Sequence, residues 1–173
     1  MQRNALKLFL VCLLFSSLAV AQAKQDETKP AAKSAAAASG APDKALLQKI
    51  AEGWNAMDVD AMGKYYDQAP DKVFYDISPL KYVGWAQYAA GAKEFFGTLQ
   101  SIKFNLHDDA VIHRVGNLAY STATVTTAMT DKAGKTTNLD SRWTLVFEKE
   151  GGKWLIDHEH FSAPMETPET PKK

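Results

Sequence analysis

Residues 152–164 read GKWLIDHEHFSAP, and from Trp154 onward every second position carries Trp154, Ile156, His158 and His160. Strand side chains point alternately to opposite faces, so this spacing predicts one β-strand with all of these residues on one side. Two of the protein's four histidines then extend an apolar sheet face. They read as structural histidines bonded to buried carbonyls or carboxylates, or as a proton carrier or ligand donor titrating near a pKa of about 6.5. A metal clamp would need a third ligand such as Asp76 or a glutamate, and no diagnostic spacing supplies one.

What stands opposite the histidines depends on the turn at Gly151-Gly152. A two-residue turn pairs His158 with Leu145 and His160 with Trp143; a three-residue turn moves Thr144 and Arg142 onto the histidine face instead. Further turn signals at Gly116-Asn117 and in DKAGK divide the second half into four expected antiparallel strands, at roughly residues 101–115, 118–130, 136–149 and 153–162. Asp108-Asp109 breaks the alternation, as a bulge does.

The first half has helical periodicity. After Asp43, a good N-cap, Leu46, Leu47, Ile50, Trp54 and Met57 recur at helical spacing. Asp58 caps a second, shorter helix over VDAMGKYY. KVFYDI reads as a short strand stopped at Ser78-Pro79, and a third helix follows Gly84, with Tyr88, Ala92, Phe95, Phe96 and Leu99 as its expected buried stripe. Helices first and a meander afterwards point to an α+β fold, with the helices packed on one face of a curved, mostly antiparallel sheet.

The chain of 173 residues supports one substantial core. Arg3 and Lys7 before LFLVCLLFSSLAV, and small residues up to Ala21 or Ala23, read as a secretory signal peptide over residues 1–23. An Ala-rich tether over 24–42, a folded domain over 43–165 and a frayed tail over 166–173 complete the expected organisation. The sole cysteine, Cys12, falls in the leader, so the mature chain would have no disulfide, thiol catalysis or cysteine metal site. The 20 Lys and Arg balance 20 Asp and Glu, and losing Arg3 and Lys7 leaves a small acidic excess. With the charges interspersed, nothing suggests a nucleic-acid partner.

The order of elements, with WNAMDVDAM, VFYDISP through VGWAQY, SRWTLVF and the alternating Trp154 to Ser162 series, resembles the nuclear transport factor 2-like superfamily, which includes SnoaL-like polyketide cyclases and ketosteroid isomerase. The resemblance implies a cone-shaped α+β barrel with a cavity and commonly a homodimer. The last strand also resembles the end of the calmodulin-dependent protein kinase association domain, but Phe161 stands where that domain has an arginine, so its anionic-ligand pocket does not carry over. Asp76 matches the general-base position of ketosteroid isomerases. Their oxyanion-hole tyrosine falls near Ile50 and their second donor has no counterpart, so that activity is not implied.

The leading expectation is an exported, periplasmic or secreted module that binds a small molecule or assembles, through a histidine-lined conical pocket, with no cofactor, no metal and no membrane contact after leader removal. Candidate ligand-binding residues are Tyr75, Tyr82, Trp85, Arg142, Trp143, His158 and His160. The alternative is an isomerase, cyclase or dehydratase in which Asp76 or His158 removes a proton and His160 stabilises the oxyanion. Asp76 also reads as a turn acceptor before Ser78-Pro79, and Arg142 as the partner of Asp140 or Glu159. Apolar residues on both faces of RWTLVF agree with a homodimer through the outer sheet face.

Overall fold

A computed structural model describes residues 40–165. The expected leader, all of the tether before Gly40 and the tail from 166 lie outside the described residues. Helix α1 (Lys44–Asn55) begins where the Asp43 side chain accepts from the Leu46 N–H at 2.8 Å, and it buries Leu47, Ile50 and Trp54. Helix α2 (Val59–Met62) is capped by Asp58, which accepts from Ala61 N–H at 3.1 Å, and runs into a 3₁₀ turn at Gly63–Tyr65. Helix α3 (Trp85–Phe96) follows Gly84, whose φ of 75° suits a residue without Cβ. Tyr88 is its buried anchor; Phe95, expected in the same stripe, is 45% exposed, and Leu99 belongs to the next strand.

The strands are β1 (Val73–Tyr75), β2 (Tyr82–Val83), β3 (Leu99–Leu106), β4 (Val111–Val115), β5 (Leu118–Asp131), β6 (Thr136–Glu150) and β7 (Lys153–Ser162). They form one curved, open sheet in the order β2-β1-β7-β6-β5-β3, with β4 also pairing to β5. The expected strand over 101–115 is therefore two strands that share one partner. The break follows from Asp109, whose carboxylate accepts from the Thr124 backbone N–H at 3.0 Å and from its hydroxyl at 2.8 Å, taking the place of a ladder bond. Asn55 ties α1 to the sheet by accepting from the Phe104 N–H at 2.6 Å. The short β2, which periodicity did not indicate, makes a hairpin with β1.

The β6-β7 pairing decides what faces inward. The turn is the two-residue one: Glu150 pairs with Lys153 across Gly151 and Gly152, which adopt φ of 52° and 84°, as the hairpin's right-handed twist requires. Phe147 pairs with Ile156, but the next pair is Val146 with His158, so Asp157 is an extra residue in β7. Beyond it the register equals that of the three-residue alternative: Leu145 faces Glu159, Thr144 faces His160 and Trp143 faces Phe161. The predicted single face through Trp154, Ile156, His158 and His160 is thus interrupted. Glu159 and Phe161 continue the inner face of Ile156, and both histidines turn outward.

Neighbouring groups account for the bulge. Lys72 bonds the Asp157 carboxylate and lies 2.8 Å from that of Asp67, while the Asp67 N–H donates to Ile156 O at 2.9 Å. Burial works to raise the Asp67 carboxyl, but the bonds from Lys72 and from the Ala69 N–H outweigh it and hold it low. The Lys72 ammonium is raised, chiefly by its bonds to Asp157 and Asp67. Past the bulge β7 pairs in parallel with β1, Phe74 opposite Glu159 and Tyr75 opposite His160. The sheet is therefore mixed.

Candidate functional site

Glu159 is 3% exposed and surrounded by aromatic rings. Its Oε2 accepts from Tyr66 Oη at 2.6 Å and from Tyr88 Oη at 3.1 Å, and its Oε1 accepts from Trp143 Nε1 at 2.6 Å. Tyr66 Oη in turn accepts from Trp54 Nε1 at 3.2 Å. Each helical segment thus places a donor: α1 brings Trp54, the chain after the 3₁₀ turn brings Tyr66, and α3 brings Tyr88. The rings pack closely, with Tyr66 against Trp85 at 4.5 Å and Phe74 against Tyr88 at 5.1 Å, which fixes the donors' directions.

Burial pushes the Glu159 carboxyl up to about 7, against the bonds from Tyr66 and Trp143 that pull it down, while the charge of Asp76 pushes it further up. Burial and the nearby Glu159 raise the Tyr66 and Tyr88 hydroxyls well above their ordinary value, so both remain donors at any physiological pH.

Glu159 lies on the wall of a cavity of about 520 Å³ between α1, α3 and the inner faces of β3, β5 and β6. That volume suits a small organic molecule. Asp76, just past β1, faces the same space, and burial raises its carboxyl although Oδ1 accepts from the Ile77 N–H at 2.7 Å. Thr127 of β5 also lines the cavity; it is 3% exposed, and its hydroxyl has no hydrogen-bond partner. Exposed Ile77, Glu94 and Phe95 mark the mouth. Tyr82 stands beside it, packed so tightly on Gly91 that a Cβ there would overlap its ring.

Of the residues expected at the site, Asp76, Tyr82 and Trp143 line this cavity. His158 and His160 do not, so the pocket is not histidine-lined. The Asp157 bulge puts His158 on the outer face, where Nδ1 sits 2.6 Å from Val73 O, and leaves His160 exposed. Both pack edge-on against Tyr75, which with His160 lines an outer groove that has Asp76, Ile77 and Phe161 in common with the cavity. Trp85 is used in stacking on Tyr66 rather than in the cavity wall, and Arg142 is exposed on the outer face opposite Ser162. Asp76 therefore shares the inner cavity with Glu159 and the outer groove with His160, while His158 lines neither. Among the described residues no cluster of three or more His, Cys, Asp or Glu is placed to hold a metal ion.

Glu159, Tyr66 and Thr127 escaped the sequence reading. A glutamate between two histidines on a predicted strand looks solvent-facing, and only the one-residue slip turns it inward.

Helices closed over one face of a curved mixed sheet, around a cavity bounded by its last strands, are the fold of nuclear transport factor 2-like proteins. More narrowly, the chain belongs to the SnoaL-like domain family, whose model matches residues 44–166. Similar solved structures include an NTF2-like superfamily protein from Salmonella enterica (22% identity, TM-score 0.62, covering 75% of this chain and 98% of that one). A protein from Xanthomonas campestris, provisionally assigned as a calcium/calmodulin dependent protein kinase II association domain, is 25% identical, with TM-score 0.61 and coverage of 73% and 86%. One from Novosphingobium aromaticivorans, provisionally assigned as a scytalone dehydratase, shares the fold at 10% identity, with TM-score 0.62 and coverage of 70% and 80%. No curated protein sequence matches significantly.

Proposed function

We propose that the protein binds an apolar small molecule in the cavity between helices and sheet, oriented by the carboxyl of Glu159. The observation carrying this reading is a buried carboxyl group, already held by Tyr66, Tyr88 and Trp143, on the wall of a cavity of about 520 Å³. A folded chain that only needed a core would gain by filling such a space and by replacing the acid, since both voids and buried carboxylates cost stability. Export, as expected from the leader, would place this binding in the periplasm or outside the cell. Binding is tested with N-phenylnaphthylamine, a neutral fluorophore that brightens in apolar sites. Saturable brightening that is abolished by Leu139→Trp, which fills the cavity, supports the reading; an unchanged response in that variant sinks it.

A second reading is an acid-base enzyme of the isomerase or dehydratase type. It is favoured by Asp76 and Glu159 sharing one cavity with both carboxyls raised by burial. In it, ionised Asp76 takes a proton from a carbon next to a carbonyl, and protonated Glu159 donates to the oxygen that becomes negative. Exchange of such a proton for deuterium in a bound cyclic enone, followed by NMR, would be lost in Asp76→Asn. Exchange persisting in that variant removes Asp76 from the reaction.

A further inference from the structure

The inner wall of the sheet carries two hydroxyls that the fold leaves without a bond. Thr127 of β5 and Ser141 of β6 are each 3% exposed, and neither oxygen has a hydrogen-bond partner. The register makes them diagonal neighbours on one face, because Thr127 stands opposite Leu139 and Val125 opposite Ser141. Such neighbours lie roughly 7 Å apart, close enough for one oxygen between them to accept from both at about 2.8 Å from each. Thr127 lines the cavity, and Ser141 stands between Leu139 and Trp143, which line it too. The other neighbours of Thr127 on this face are apolar: Val125 and Met129 on its own strand, Phe104 on β3 and Leu139 on β6. A buried hydroxyl without a partner costs stability, and two side by side in a cavity wall point to a partner that is not protein.

We infer that this pair is a polar station for an uncharged oxygen acceptor, a carbonyl or ether oxygen of the ligand, which receives one O–H from Thr127 and one from Ser141 while the apolar body lies along Leu139 and Trp143. This inference rests on the binding reading above and adds a second station to the one at Glu159. The two are separate. Leu139, opposite Thr127, and Leu145, opposite Glu159, are six residues apart on β6, roughly 20 Å of strand, so no single polar group serves both. The surroundings exclude a charge. A carboxylate could accept both bonds, but among the described residues the charged side chains lining the cavity are Asp76, Glu94 and Glu159, all acidic, and an ion among Phe104, Met129 and Leu139 would be buried without a counter-charge. An alcohol that accepts both bonds leaves its own proton without an acceptor, and a hydrocarbon leaves both hydroxyls unpaired. The two oxygens are turned into the wall, and a χ1 rotation between staggered wells, which strands accommodate, brings each to the ligand.

Competition against N-phenylnaphthylamine compares para-tert-butylacetophenone with para-tert-butyl-α-methylstyrene, in which a methylene replaces the carbonyl oxygen, and with para-tert-butylbenzoate, which adds a charge. The measurement is made at about pH 8, above the value of about 7 to which burial pushes the Glu159 carboxyl, so that this group accepts and does not donate. Thr127→Val and Ser141→Ala should each weaken the ketone about threefold or more. Both should leave styrene binding unchanged or tighter, which also shows that the variants fold with the cavity intact. The benzoate should bind more weakly than the ketone, and Glu159→Gln should leave the ratio of ketone to styrene affinity where it was. A ketone whose losses the styrene matches, a benzoate as tight as the ketone, or a ratio that collapses in Glu159→Gln overturns the station at Thr127 and leaves the binding reading standing. Failure of all three to displace bound N-phenylnaphthylamine does the same. If N-phenylnaphthylamine itself shows no saturable binding, both fall.

Discussion

The carboxyl of Glu159 keeps its proton far longer when folded than in the unfolded chain, which sets a sign for the pH dependence of stability. Its ordinary value is 4.5 and burial pushes it up to about 7, so between these the folded state binds more protons than the unfolded one. The contribution of Glu159 is most favourable below the lower value and is lost as pH rises through the upper. Unfolding midpoints in urea should therefore fall between about pH 5 and pH 8, by on the order of 3 kcal/mol from this group. Glu159→Gln should flatten the decline, and an equal slope in the variant would contradict the assignment. Thr127 makes the opposite kind of prediction. Its unpartnered hydroxyl is a cost in the empty protein, so Thr127→Val should stabilise it by up to about 1 kcal/mol in the same assay, whatever it does to binding.

The bulge in β7 is the element on which the site depends. Lys72 is only 19% exposed and Asp67 10%, so removing the ammonium strands two poorly hydrated carboxylates. Lys72→Met should cost about 1–3 kcal/mol and, by loosening the slip at Asp157, disturb the bond from Trp143 to Glu159, seen as a shift in tryptophan emission. A loss of stability with unchanged emission would separate the ion cluster from the site. In α3, Gly91 is a weak helix former kept where Tyr82 leaves no room for a side chain. Gly91→Ala should forfeit the roughly 1 kcal/mol expected from helix propensity, and an unfolding midpoint raised by that full amount would show that Tyr82 moves aside freely. The caps at Asp43 and Asp58 and the glycine turns were legible because each is a local rule about a few consecutive residues. The split of the expected 101–115 strand was signalled by Asp108-Asp109, but the ladder position that Asp109 fills on β5 was not.

At the scale of the molecule, residues 40–165 should fold alone and unfold in one transition, because helices and sheet share one apolar core that includes Leu47, Ile50, Phe74, Phe147 and Ile156. Calorimetric and van't Hoff enthalpies that disagree for that segment would show a second cooperative unit. Fold class, element order and even the family resemblance were readable in the chain, since periods of 3.6 and 2 report directly which residues seek a common apolar surface. Asp76 was within reach through its match to the general-base position of ketosteroid isomerases, and Tyr82 and Trp143 as aromatic rings with polar tips. The identity of the buried acid was not. In GKWLIDHEHFSAP, alternation continued without a break would place the histidines inside and Glu159 in water. A single extra residue at Asp157, held by Lys72 and Asp67 from a distant part of the chain, reverses the two faces beyond it. Local pattern determines that a strand forms, whereas its register is set by pairing partners far away in sequence, and the register decides which side chain meets the cavity.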